Sequence, residues 1–266
     1  MVVPLYRKIR IIAQDPSVRT PDKKILTGIV DVPYEEIAAG PRGYRIHVID
    51  YDASAGKFYH PVPLKELEKE GMVSEEGVLF EGVSDEALLD NPQFHAMNTY
   101  AIIMRTLAAF ESALGRRVSW SFGGHQIKVA PHAFADANAF YSKRDEGLFF
   151  GYFPDPDEEK KMVFTCLSHD VIVHETTHGL VDGLRQCYIE PETLDQVAFH
   201  EGFADVVALL SVFSVPEVVE LLIDQRPETD AVKKAIQKKA QIKSTQEGSR
   251  KNGAQESSRN KDIIDI

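Results

Sequence analysis

Residues 173–179 read Val173-His174-Glu175-Thr176-Thr177-His178-Gly179. Histidines four apart on an α-helix lie one turn apart on the same face, so both imidazoles reach a single ion. Zinc suits nitrogen and carboxylate ligands in a tetrahedral shell, with the fourth position left to water in catalytic sites. Glu175 sits beside the pair and is placed to take a proton from that water without ligating the metal. After 22 intervening residues comes Glu201-Gly202-Phe203-Ala204-Asp205. Glu201 and Asp205 share a helical face at i, i+4, so Glu201 can ligate while Asp205 holds an imidazole N–H and fixes its tautomer. These residues predict a Zn2+ site of His174, His178 and Glu201, with Asp205 behind it. The plainer alternative is a surface helix with two solvated histidines, followed by two solvated acids at a helix start. Val171, Ile172, Val173, Leu180 and Val181 weigh against it, because a mostly buried helix needs partners for its polar groups. Val206, Val207, Leu209 and Leu210 make the second helix largely apolar, so Glu201 and Asp205 are expected to face inward.

The elements that must position these residues are legible in outline. Ser168–Leu184 and Val197–Phe213 read as the two site helices, with Ser168 as N-cap and Asp170 in the first turn of the former. Asn91-Pro92 opens a long helix that ends near Gly115 and carries an apolar stripe at Met97, Ala101, Met104 and Ala108. Gln126–Ala130, Ala137–Tyr141 and Leu148–Phe153 read as strands. So do Lys8–Gln14, Lys24–Val32 and Tyr44–Tyr51, where β-branched and aromatic residues are bounded by Pro, Gly and Asp. In Tyr44–Tyr51, Tyr44, Ile46, Val48 and Asp50 should face one way and their neighbours the other. A short helix is expected over Leu64–Glu70, stopping at Gly71, and another over Pro216–Asp224. Residues 214–266 contain no aromatic residue and no histidine, and 231–266 read as a lysine-rich helix fraying into a disordered tail. The domain reading is 1–90, a β-rich region; 91–230, the lobe with the metal site; and 231–266, a polar tail.

Composition narrows the function classes. The chain has 266 residues, 43% hydrophobic and 27% charged, with a net charge of −11. That charge argues against a nucleic-acid partner, because binding a phosphate backbone favours a basic surface. No run of eighteen apolar residues is present, and the N-terminus lacks the continuous apolar stretch of a signal peptide, so neither a membrane nor export is expected and the cytoplasm follows by default. Cys166 and Cys187 flank the HExxH helix, which at 1.5 Å per residue is about 25 Å long, far beyond disulfide reach. Free thiols are the better reading, with a disulfide as the alternative.

The stretch from about Phe94 to Phe213 resembles the thermolysin-like zinc metallopeptidases, members of the gluzincins. The resemblance extends past HExxH: Asp170 lies four residues before His174, Asp182 four after His178, and Glu201 and Asp205 match the family's third ligand and histidine-orienting aspartate. It implies that Asn138-Ala139-Phe140-Tyr141 is the edge strand whose polar groups pair with an extended peptide, with Asn138 and Ala139 binding substrate by strand addition. It also implies that Tyr188 donates to the developing oxyanion, although its spacing from His178 is one residue shorter than in the family. Two departures matter. The family's further histidine, on a C-terminal helical lobe, has no counterpart after His200, and that lobe is missing or much reduced. Leu209, Leu210 and Val212 stand where the family has calcium-binding acids, so no structural calcium is expected.

The expected fold is α+β, with a β-rich N-terminal part leading into a zincin-like lobe of mixed sheet and active-site helices. The expected activity is Zn2+-dependent hydrolysis of peptide bonds in peptide or protein substrates, with Glu175 and Tyr188 as the catalytic pair. Losing one oxyanion donor costs about 10²–10³ in rate, so a weak protease is expected. Two rivals keep the same site: a zinc-binding homologue or fragment without useful catalysis, and a module that holds peptides on the Asn138 strand. His200 is read as flanking the site. His47, His60, His95, His125, His132 and His169 have no partner at ligand spacing and are read as structural. Oligomeric state is left open.

Overall fold

The computed structural model describes residues 4–156, 158, 161–185 and 193–224. Met1–Glu220 form one compact unit and Leu221–Ile266 a second, of which only the last turn of a helix, Leu221–Asp224, is described. Tyr188, Cys187 and the tail from residue 231 therefore lie outside the described residues.

The fold is α+β with a mixed sheet. β1 (Tyr6–Ile12) and β2 (Thr27–Pro33) pair antiparallel, from Tyr6 opposite Pro33 to Ile12 opposite Thr27. The main sheet runs in the order β3 (Ile46–Val48), β6 (Ile127–Phe134), β8 (Gly147–Pro154), β7 (Ala139–Ser142). β3, β6 and β8 are parallel to their neighbours, while β7 returns antiparallel along β8 and so ends the sheet. A short β9 (Met162–Phe164) pairs with the far end of β8 and leads through a 3-10 turn, Thr165–Leu167, into the HExxH helix. β4 (Tyr51–Asp52) and β5 (Lys57–Phe58) form a separate small ribbon.

The expected strand over Tyr44–Tyr51 shrinks to three paired residues. Backbone bonds to β6 continue on either side of it, from Ile127 N–H to Arg45 C=O at 2.9 Å and from Ile49 N–H to Val129 C=O at 2.8 Å. The Arg45 side chain turns inward to Glu111 Oε1 at 2.9 Å, and Asp50 accepts the His132 backbone N–H at 3.0 Å. The alternation holds from Ile46 on, with Ile46, Val48 and Asp50 buried and Ile49 and Tyr51 exposed, but fails before it, where Tyr44 is exposed and Arg45 is buried by its bond to Glu111.

α1 (Leu64–Lys69) stops at Gly71 in the left-handed region, and α2 (Asp85–Asp90), not expected from sequence, is capped by Ser84. α3 (Pro92–Leu114) starts as expected: Asn91 Oδ1 accepts from the backbone N–H groups of Gln93 and Phe94, and left-handed Gly115 closes the helix. The single stripe expected on α3 is too narrow. Phe94 through Met104 are buried all round the helix, because α3 packs against β1, β2 and the HExxH helix at once. Buried Asn98 reconciles this position with its polarity, accepting from Ile12 N–H and donating to Cys166 C=O.

α4 (His169–Leu184) carries HExxH, α5 (Leu194–Val212) carries Glu201, and α6 (Pro216–Asp224) follows. Among the described residues no single helix is long and apolar enough to cross a membrane.

Candidate metal centre

α4 is seated by two glycines one turn apart. A Cβ on Gly179 would meet the Tyr141 ring at 3.3 Å, and one on Gly183 would fall 1.9 Å from Ser119 C=O, so only a bare helix face lets α4 lie this close to β7 and the Trp120 segment. Thr176 and Thr177, between the histidines, bond back to the carbonyls of Ile172 and Val173, so neither hydroxyl is left without a partner in the interior. Ser168 sits at the N-cap position but makes no capping bond. Its hydroxyl instead lies 2.7 Å from both Asp15 Oδ2 and Asp170 Oδ1. α5 starts earlier than the sequence suggested, on a capping box in which Thr193 and Gln196 bond reciprocally.

The two helices bring three of the predicted ligand atoms together. His174 Nε2 lies 2.9 Å from His178 Nε2 and 3.3 Å from Glu201 Oε2, and His178 Nε2 lies 3.6 Å from Glu201 Oε2. Ligand atoms in a tetrahedral shell with bonds of about 2.0–2.1 Å are separated by about 3.3 Å, so this triangle has the size of a zinc first shell. His174 donates its other ring N–H to Asp205 Oδ1 at 2.9 Å, which leaves the Nε2 lone pair turned into the triangle. The atoms facing one another are thus two imidazole nitrogens, of which His174 turns a lone pair inward, and a carboxylate, a donor set that suits a cation. Burial, followed by the charges of His200 and His174, lowers the His178 pKa to about 3, so this ring is neutral and available as a ligand at neutral pH.

Glu201 and Asp205 do not reach the site as the apolar pattern suggested. Their side chains are 55% and 73% exposed. The buried face of α5 is made instead by His200, Ala204, Ala208 and Val212, while Val206, Leu209, Leu210 and Phe213 are exposed. Small residues on the buried face bring α5 close to α4, and the acids lean over from its rim. His200 is buried with its ring stacked on His178 at 4.5 Å and 12°, and burial lowers its pKa.

Glu175 is buried beside the triangle, and its Oε2 accepts the Tyr141 backbone N–H at 3.0 Å. Burial raises its pKa to about 7, with Glu201 adding to the rise and His174 and the Tyr141 bond opposing it. Tyr141 belongs to β7, the terminal strand of the sheet, so the edge strand and the carboxylate are joined directly. On the same outer edge, Asn138 Oδ1 accepts the Ala139 N–H at 2.9 Å, while Asn138 C=O accepts from Gly151 N–H on the inner side. A cleft lined by Asn138, Ala139, Lys143, Arg144, His174 and Glu201 runs along this edge. Lys143 and Arg144 were not singled out from sequence. Their position directly after the Asn138–Tyr141 strand was the available signal.

The chain matches no protein-family model and no curated protein. Among solved structures it is similar to the precursor of protealysin, a metalloproteinase from Serratia proteamaculans. The identity is 17% and the TM-score 0.38, over 67% of this chain and 46% of that one. The match thus spans less than half of that precursor.

Asp182 is fully buried at the base of α4, 3.4 Å from the Tyr141 hydroxyl and 3.9 Å from Lys143 Nζ. His169 turns away from the site, with its Nε2 3.1 Å from Ser211 Oγ, as its angular offset on the helix predicts. His95 and His132, read as structural for want of a partner at ligand spacing, are indeed buried, but they do have each other as a partner in space. Their rings meet at 2.8 Å in the interior because α3 and β6 pack there, a proximity that spacing along the chain does not reveal.

Proposed function

We propose that this chain is a zinc-dependent peptidase in which His174, His178 and Glu201 hold the metal and Glu175 is the catalytic base. The observation that carries this reading is the triangle of ligand atoms, of zinc-shell size, with a buried carboxylate beside it and a sheet edge attached to that carboxylate. Zinc, when bound, supplies Lewis acidity that acidifies water at its open position and polarises the scissile carbonyl. Glu175 takes the proton from the attacking water and delivers it to the leaving amine. Asp205 holds His174 in the ligating tautomer.

An extended peptide is bound by addition to β7. Ala139 N–H, now occupied by the Asn138 side chain, offers a main-chain bond on the outer edge, and Asn138 Oδ1 is then freed to accept from the peptide. Lys143 and Arg144 on the same cleft favour substrates with acidic groups near the cut. Tyr188, outside the described residues, is the proposed oxyanion donor. The resemblance to thermolysin-like gluzincins belongs to this proposal, as does a cytoplasmic location.

A second reading is a zinc-holding module that binds peptides along the cleft beside β7, where Ala139 N–H faces outward, without cutting them. One experiment separates the two. Purified protein is incubated with a quenched fluorescent peptide library, alongside Glu175→Gln and a chelated sample. Cleavage that falls about 10²–10⁴-fold in Glu175→Gln and returns when zinc is restored to the chelated sample supports the peptidase. Peptide binding without cleavage by folded, zinc-loaded protein sinks it and leaves the module.

A further inference from the structure

A second set of metal-type donors lies away from the cleft, in the interior. His95 on α3, His132 on β6 and Cys166 in the turn before α4 are 1%, 1% and 0% exposed, and one ligand atom from each lies within 4.8 Å of the others. We propose that His95, His132 and Cys166 supply three ligands of a buried structural site for one borderline-soft transition-metal ion such as zinc, distinct from the HExxH centre.

The hydrogen bonds at the outer sides of the rings carry the argument. His132 Nδ1 lies 2.7 Å from Asp50 Oδ2, and His95 Nε2 lies 2.9 Å from Leu89 C=O. Both partners only accept, so each ring carries its proton on that side. Two neutral rings held this way turn bare lone pairs at each other, His95 Nδ1 and His132 Nε2, at 2.8 Å. Something positive must sit between them. A proton between the rings, balanced by the Asp50 carboxylate 2.7 Å from His132 Nδ1, would serve. A metal ion satisfies both lone pairs and recruits the sulfur as well.

The outer bonds are also those that ligating histidines make, one to a carboxylate and one to a backbone carbonyl, and they set the tautomer that ligation needs. Charge closes too: a dication, the Cys166 thiolate and the Asp50 carboxylate sum to zero, so the filled site buries no net charge. A bound dication favours the thiolate, so the Cys166 thiol proton is released on binding. The ring nitrogens need to open by only about half an ångström to reach the N–N separation of a tetrahedral shell. Rings of Tyr59 and Phe164 pack over His132, so the ion enters as the chain folds. It would tie α3, β6 and the turn feeding α4, eight residues before His174.

The test uses the full chain refolded with zinc and, separately, with Co(II), then freed of loose metal. Two equivalents of zinc are expected in the natural sequence, and one in His174→Ala/His178→Ala, which leaves the buried cluster untouched. The cobalt form of that double variant should show a thiolate-to-cobalt band in the near ultraviolet, retained with Cys187→Ser and lost with Cys166→Ser. A double variant that folds with the same circular dichroism and holds no metal overturns the proposal. So does a cobalt band that follows Cys187, or a single equivalent in the natural sequence that is lost in His174→Ala/His178→Ala.

Discussion

Asp205→Ala tests whether a carboxylate that never touches the metal helps to hold it. The only bond recorded for this side chain into the site is the one from His174 Nδ1 at 2.9 Å, so the substitution removes an orienting acceptor and leaves all three proposed ligands in place. Losing such a partner typically weakens metal binding about 10–100-fold, which corresponds to about 1.4–2.7 kcal/mol. Asp205 is 73% exposed, so water can replace it as acceptor and the effect belongs at the lower end, about tenfold. Exposure also sets the control, because a surface substitution shifts the stability of metal-free protein by no more than about 0.5 kcal/mol. Exchangeable zinc is titrated against a chromophoric chelator, and the metal-free variants are unfolded in urea. Asp205→Asn should lie between Ala and the natural residue, since its amide oxygen still accepts. Glu201→Ala, which removes a proposed ligand, should lose more than Asp205→Ala. Unchanged zinc affinity in Asp205→Ala would refute the tautomer argument. A urea midpoint that falls as far as the affinity would show a merely structural role.

Two further outcomes follow from the packing of α4. Gly183→Ala places a Cβ 1.9 Å from Ser119 C=O, so the helix must shift; a loss of about 1–3 kcal/mol in denaturant unfolding is expected, with weaker zinc binding alongside. Buried His169 has its pKa lowered to about 4, chiefly by burial, with Arg105 lowering it further and the backbone of Ile12 and Asp170 opposing. Its unfolded value is near 6.5, so the stability it contributes is complete above that pH, is lost as pH falls from 6.5 to about 4, and changes no further below. The loss is on the order of 3 kcal/mol. His169→Gln should flatten this part of the stability–pH profile, and an unchanged slope would count against it.

Much of the site was legible because helices repeat locally. A four-residue spacing places His174 over His178 and Glu201 over Asp205 whatever surrounds them, and the bonds joining His174 to Glu201 and Asp205 agree with that geometry. Capping is equally local, which is why Asn91-Pro92 and Gly115 marked the ends of α3 correctly. Side-chain partners distant in sequence were not legible, among them Glu111 for Arg45 and the His132 backbone for Asp50. The burial of α5 was misjudged for a related reason. An apolar run shows that a helix can be buried, but which face is buried depends on the neighbour's shape, and here α4 accepts the small side chains of Ala204 and Ala208.

The sequence by itself determined the donor types, their helical register and the net charge of −11, because each depends on residue identity or on spacings within a few turns. Only the tertiary structure decided that β7 ends the sheet and bonds Glu175 through Tyr141, and that His95, His132 and Cys166 meet in the core. Those contacts join residues 34 or more positions apart. Strand order and helix packing set such distances, and no period along the chain encodes them.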